Sequence, residues 1–218
     1  MTGLQRLSDV IGRDVSRETF EKLERHAAMV REWSVRTNLV APSTIPDLWE
    51  RHVMDSAQLL RHVERPGTWI DVGSGAGFPG LVVAVLVSGQ PGWHTSLVES
   101  NRKKVSFLAS VKAALNLDVD IVPQRISTVV ANPRQRPDIV SARALAPLLD
   151  LVTMLEPWLS AGTVGLFHKG REFHGELEHC RRMFAVDLIE HASAIEAGSR
   201  VVEIRGLHRL DGIDARFS

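Results

Sequence analysis

The sequence predicts an α/β protein: a mostly parallel sheet of seven strands wound with helices, preceded by a helical extension. Three observations carry this. The short apolar run Thr68–Val72 breaks into four glycines within eight residues and resumes as the apolar stretch Leu81–Val87, a strand, a glycine turn and a helix. From Thr68 onward, strand-like and helix-like stretches alternate. Before Thr68 the periodicity is helical, and Pro66-Gly67 closes it, dividing the chain into an extension over residues 1–66 and a main domain over 67–218.

The elements follow in order. Ser16 is a candidate N-cap with Glu18 in the first turn, and Phe20, Leu23, Ala27, Val30 and Trp33 keep helical spacing. Thr44 is the expected cap of a second helix, with Pro46 in its first turn and Asp47 three residues on, as in a capping box. Trp49, Val53, Ala57, Leu60 and Val63 give that helix an apolar stripe, and Arg51, Asp55, Gln58 and His62 a polar one. Further strands are expected at Trp93–Val98, Val119–Val122, Pro137–Ala142, Gly162–His168, Val186–Ile189 and Arg200–Arg205. Helices are expected at Arg102–Leu115, Gln124–Ala131, Leu145 up to Pro157, and Phe173–Phe184.

Composition bounds the function. Hydrophobic residues at 44% and charged residues at 24% fit a water-soluble globular protein. No apolar run approaches the roughly 20 residues that span a bilayer, and Met1–Arg6 has no apolar signal core. The single cysteine, Cys180, rules out an internal disulfide framework and fits a reducing cytoplasm, so a cytoplasmic protein away from membranes is expected. Net charge is zero, which argues against indiscriminate binding to nucleic acid. The charge is unevenly spread, however: residues 101–145 carry eight basic residues against three acidic, just downstream of the glycine turn.

The turn itself has two spellings. From Gly75 it reads Gly-Ala-Gly-Phe-Pro-Gly, the dinucleotide fingerprint. From Asp71 it reads Asp-x-Gly-x-Gly-x-Gly, the first motif of class I S-adenosylmethionine-dependent methyltransferases. Register favours the second, because the residue leaving the strand is Gly73, and counting from it puts Phe78 where the fingerprint needs its third glycine. Asp71 before the first glycine also suits a cofactor with a cationic amino-acid tail. Gly73, Ser74, Gly75 and Gly77 supply bare backbone to a ligand. Ligands of open α/β sheets lie beyond the carboxyl ends of the strands. Glu99 ends the second strand, where a carboxylate can accept both hydroxyl protons of a ribose. Arg125-Ile126-Ser127 follows the third strand, Arg143 the fourth and Lys169-Gly170 the fifth.

Together, Asp71–Gly80, Glu99–Leu108, Val140–Ala144 and His168–Gly170 resemble the bacterial ribosomal small-subunit (16S) RNA guanine-N7 methyltransferase family, also called glucose-inhibited division protein B. Asn38-Leu39-Val40 and Arg51–Ser56 resemble that family's N-terminal segment. The resemblance implies the Rossmann-like class I methyltransferase fold, S-adenosyl-L-methionine as cofactor, and 16S ribosomal RNA or a small-subunit particle as partner of a monomer. It implies cofactor contacts from Gly73, Phe78, Ile126, Ser127 and Arg143, and places Arg51, His52, Asp55 and Lys169 on the substrate side. The family usually has an acidic residue where this chain has Ser127, so only a backbone contact is expected there.

Guanine N7 has a lone pair and no proton, so methylation needs alignment rather than a base. The chain accordingly shows no Ser-His-Asp, Cys-His or paired-carboxylate arrangement. No metal is expected, since His174, His179 and Cys180 cannot share one helix face. Arg143 is the residue expected at the reacting centre, with a salt bridge to Asp71 or Glu99 as its structural alternative. Three other functions compete. A nicotinamide dehydrogenase lacks its hydride-transfer residues, the chain having no tyrosine at all. A non-enzymatic RNA-binding module would need exposed stacking aromatics. A class I methyltransferase acting on another RNA or a small molecule is harder to exclude.

Overall fold

The computed structural model describes residues 2–210, so residues 211–218 of the expected main domain lie outside it. Seven strands form one sheet: β1 (Thr68–Val72), β2 (His94–Val98), β3 (Asp120–Val122), β4 (Ile139–Arg143), β5 (Val164–Lys169), β6 (Phe184–Ala192) and β7 (Arg200–Arg209). Their order is β3-β2-β1-β4-β5-β7-β6, with β7 antiparallel to both its neighbours and the other pairs parallel. Chain order reverses between β1 and β4, where Ile70 lies between Ser96 and Val140. The carboxyl ends of these strands therefore flank an open crevice.

Helices cover both faces. Helices α1 (Gly3–Ile11), α2 (Arg17–Ser34), α4 (Gly80–Val87) and α5 (Arg102–Leu115) share one apolar cluster. Helices α6 (Ile126–Val130), α7 (Leu148–Leu159) and α8 (Phe173–Arg181) pack on the other face. Helix α4 is apolar all round, and each of its residues is buried. A helix with no polar stripe must be covered on both sides; here the sheet covers one and the extension, through α2, the other. Cys180, on the inner side of α8, is fully buried, and burial pushes its thiol up to about 11. Among the described residues no helix is long and apolar enough to cross a membrane.

Local signals explain most boundaries. Ser16 caps α2 by accepting from the Thr19 N–H at 3.1 Å. Asn101 caps α5 by accepting from Lys103 and Lys104. Four expectations need correction. Thr44 caps nothing: it ends a short 3-10 turn, Pro42–Thr44, because its hydroxyl is taken by the Ala41 carbonyl and by His52. The helix after it is wound in three pitches, a π turn over Trp49–Met54, α3 (Asp55–Ala57) and a 3-10 stretch over Gln58–His62. Helix α7 starts later than expected, at Leu148, and runs past Pro157 to Leu159, because the burial of Trp158 and Leu159 outweighs one lost N–H bond near its end. Phe184 belongs to β6 rather than to the preceding helix, fully buried with the Arg209 guanidinium over its ring.

Candidate active site

The glycine turn leaves β1 at Gly73, whose φ of +69° favours glycine and where a Cβ would meet Leu145 at 2.7 Å. It ends at Gly80, which opens α4 so close to the sheet that a Cβ would strike Leu97 and Asp71. Beneath the turn lies a buried polar chain. The Trp69 indole N–H donates to Ser141 (2.8 Å), the Ser141 hydroxyl donates to Asp71 (2.7 Å), and the Gly80 N–H donates to the other Asp71 oxygen (3.2 Å). Asp71 is thus a strut behind the turn, fully buried, and burial raises its carboxyl to about 6. The carboxylate expected beside a ligand thus has both its oxygens engaged by the protein's own frame.

Above the turn is a cavity of about 380 Å³. Gly73, Ser74, Gly75, Ala76 and Phe78 form one wall, Arg143 and Ala144 continue it at the end of β4, and Lys104 contributes from α5. Leu39, Val40, Ala41, Thr44 and His52 close it from the extension. Ala144 holds a φ of +49°, unusual for a residue with a side chain, right where the chain leaves the cavity. Glu99, not itself in the cavity lining, lies against the turn, its two oxygens accepting from Gly75 N–H (3.0 Å) and Asn101 N–H (2.7 Å). Gly77 shapes the turn, its N–H donating to the Ser74 carbonyl at 2.7 Å. Ile126 and Ser127 begin α6, outside the cavity lining.

Arg143 is bound differently from expected. Its guanidinium pairs with Asp55 (3.5 Å), not with Asp71 or Glu99, and donates to the carbonyls of Arg51 and His52 in the π turn. Asp55 is buried and also accepts from Gln58 at 2.6 Å, while its carbonyl accepts from His168 at 2.7 Å. Arg51 points its own charge to Glu196 (3.6 Å) at the surface. His52 rests on the ring of Phe78, centroids 5.0 Å apart, and Phe78 rests in turn on His26 at 4.9 Å. Burial, with Arg143 and Arg51 nearby, lowers the His52 pKa to about 3, so the ring is neutral. Lys169, expected to face substrate, is buried instead, paired with Glu176 (2.7 Å) and donating to the Ala146 carbonyl (2.9 Å). Among the described residues no group of three or more His, Cys, Asp or Glu side chains could hold a metal ion.

Of the lining residues, Ala41 and Thr44 carried no ligand signal in the sequence, whereas Leu39, Lys104 and Ala144 lay within the stretches that resemble the family. Thr44 read as a cap, and the left-handed turn at Ala144 has no glycine to announce it.

A sheet of this order with a glycine-turn cavity at its switch point defines a class I methyltransferase fold. Solved structures agree on the fold: a mutant of MtNAS in complex with S-adenosylmethionine superposes with a TM-score of 0.55 at 14% identity, covering 87% of this chain and 72% of that one. A protein from Pyrococcus horikoshii OT3 gives 0.54 at 10%, covering 81% and 97%. The particular family is narrower: residues 19–203 match the family model described as rRNA small subunit methyltransferase G (GidB). Proteins named ribosomal RNA small subunit methyltransferase G from Chelativorans sp. (strain BNC1) and Rhizobium meliloti (strain 1021) are each 45% identical, covering 90% and 91% of this chain and 93% and 94% of theirs. The chain belongs to this family.

Proposed function

We propose that this chain transfers a methyl group from S-adenosyl-L-methionine to N7 of a guanine in 16S ribosomal RNA, acting as a cytoplasmic monomer on the RNA or a small-subunit particle. The observation that carries this reading is the cavity shared by the glycine turn, the end of β4 and the π turn of a family member.

The residues present fit the cofactor. Gly75 leaves open space where a side chain would stand, with nothing nearer its Cβ position than the Gly73 carbonyl at 3.8 Å. Glu99 uses one lone pair on each oxygen, so each retains one for a ribose hydroxyl. Gly73, Ser74, Gly75 and Phe78 would hold the cofactor, with backbone of Ile126 and Ser127 at its adenine edge, and Gly77 and Asp71 keeping the turn in shape. When bound, the cofactor supplies an electrophilic methyl on a sulfonium. The N7 lone pair takes that methyl, the sulfur–carbon bond breaks, and no proton moves. The protein's part is therefore alignment and exclusion of water. Arg143 serves by fixing the π turn, and with it His52, against Phe78. A neutral His52 beside the purine does not repel the positive charge that methylation places there. Arg51, Asp55 and Lys169 act behind this surface, in the ion pairs described above.

Titration calorimetry should show binding of S-adenosylmethionine or its demethylated product and none of NADH; the reverse would sink the reading. Ribosomal RNA from cells lacking the protein should lose one N7-methylguanine by mass mapping and regain it with purified enzyme.

A further inference from the structure

Three histidines bear on the elements around the cavity, and each has Nε2 engaged. His26 meets the Ala76 carbonyl at 2.8 Å and His168 the Asp55 carbonyl at 2.7 Å. A carbonyl only accepts, so both rings carry their proton on Nε2. His52 meets the Thr44 hydroxyl at 2.8 Å, and that hydroxyl already donates to the Ala41 carbonyl at 2.7 Å. Thr44 therefore accepts from His52, which is the same tautomer. In all three rings Nδ1 is a bare acceptor. In His26 and His168 it is sealed inside the protein without a partner, whereas in His52 it is not sealed, and only His52 of the three lines the cavity.

We propose that His52 selects guanine, accepting at Nδ1 a hydrogen bond from the donor edge of the purine, N1–H or the 2-amino group. The proposal rests on the guanine-methylating reading above and names one contact within it. Guanine's donor edge lies across the ring system from N7, so a base presented with N7 toward the glycine turn must be gripped by another wall. His52 comes from such a wall, the extension. Its ring is held in place by three constraints: Thr44 at Nε2, Phe78 beneath the ring, and Arg143 on its carbonyl. Adenine offers a lone pair at N1 and only C2–H beside it, so acceptor would face acceptor. Burial keeps the ring neutral, which keeps Nδ1 an acceptor at any working pH.

The test uses small-subunit RNA fragments with guanine, inosine (no 2-amino group) or 2-aminopurine (no N1–H, and no 6-oxygen) at the methylated position. They are compared on the wild-type enzyme and on His52→Phe, which keeps a flat ring on Phe78. The analogue that lacks the bonded donor should lower wild-type kcat/KM about tenfold. Its cost in His52→Phe should be about tenfold smaller than in the wild type, while cofactor affinity stays the same in both enzymes. Equal losses in the two enzymes, no loss in the wild type with either analogue, or weakened cofactor binding by His52→Phe would each overturn the proposal. Should His52→Phe fail to fold, Thr44→Val keeps the histidine but frees its ring to protonate Nδ1. Its discrimination should shrink severalfold, and full discrimination would overturn the proposal. A wild-type enzyme that leaves guanine unmethylated would instead refute the functional reading beneath it.

Discussion

Arg143 turns its guanidinium toward the backbone of another element. Lysine at this position could still meet Asp55, but a single ammonium cannot reach both carbonyls of the π turn. Arg143→Lys should lower stability by only about 1–2 kcal/mol. Turnover should fall about a hundredfold if His52 shifts by as much as an ångström. Denaturant titration beside single-turnover kinetics separates the two; an early-melting variant with normal turnover would mark Arg143 as scaffolding. His26 makes a different prediction. Burial lowers its pKa from 6.5 to about 4, so between these values the unfolded chain binds a proton that the folded chain refuses. Its contribution to stability is complete above 6.5 and is lost as pH falls toward 4, up to about 3 kcal/mol. Asp71, raised to about 6, works in the opposite direction, because the folded chain takes its proton first. His26→Gln keeps a donor for the Ala76 carbonyl and should flatten the acid limb of melting temperature against pH. An unchanged limb would show that the acid limb arises elsewhere.

At the scale of elements, α5 is built against its own dipole. Its first turn is Arg102-Lys103-Lys104 with no acidic residue, at the end where the helix is already positive. Only Lys104 reaches the cavity lining, and Arg102 and Lys103 are exposed beside it. If these two meet RNA phosphates, Arg102→Gln with Lys103→Gln should reduce the salt slope of RNA binding by about two. The same pair should gain a few tenths of a kcal/mol of stability from relief at the helix end, and leave cofactor affinity alone. An unchanged slope would mean a solvated helix face. Element signals of this kind are legible in sequence when they are local. The cap at Ser16 and the all-apolar α4 announce themselves. The π turn does not, because Trp49, Val53 and Ala57 fit an ordinary helical stripe equally well. The carbonyls of Arg51 and His52 in that turn are met by a guanidinium from a strand far away in sequence.

The whole molecule shares a core across its expected boundary at residue 66. Leu7, Leu23, Val30 and Met54 from the extension lie in one apolar cluster with Leu81, Val83, Phe107 and Val111 from the main domain. Leu23, wholly buried, should lose about 2–5 kcal/mol on change to alanine. The extension and the sheet should still melt in one transition, followed by circular dichroism and by loss of activity; two separate transitions would show independent units. The alternation of strands with helices and the glycine turn at the end of β1 were readable beforehand because alternation and glycine spacing are one-dimensional patterns. The partner of Arg143, the burial of Asp71 and the pairing of Lys169 with Glu176 were not. Each depends on which surfaces the packing brings together, and a carboxylate on a strand reads the same whether it faces ligand or serine.

The lone thiol of Cys180 gives the molecule a built-in clock. It is fully enclosed, and its raised pKa leaves almost no thiolate at neutral pH. A maleimide can modify it only while α8 lifts from the sheet, so the modification rate counts those excursions directly. Intact mass against time, with and without cofactor, would then tell whether filling a cavity at β1 and β4 steadies a helix beyond β5.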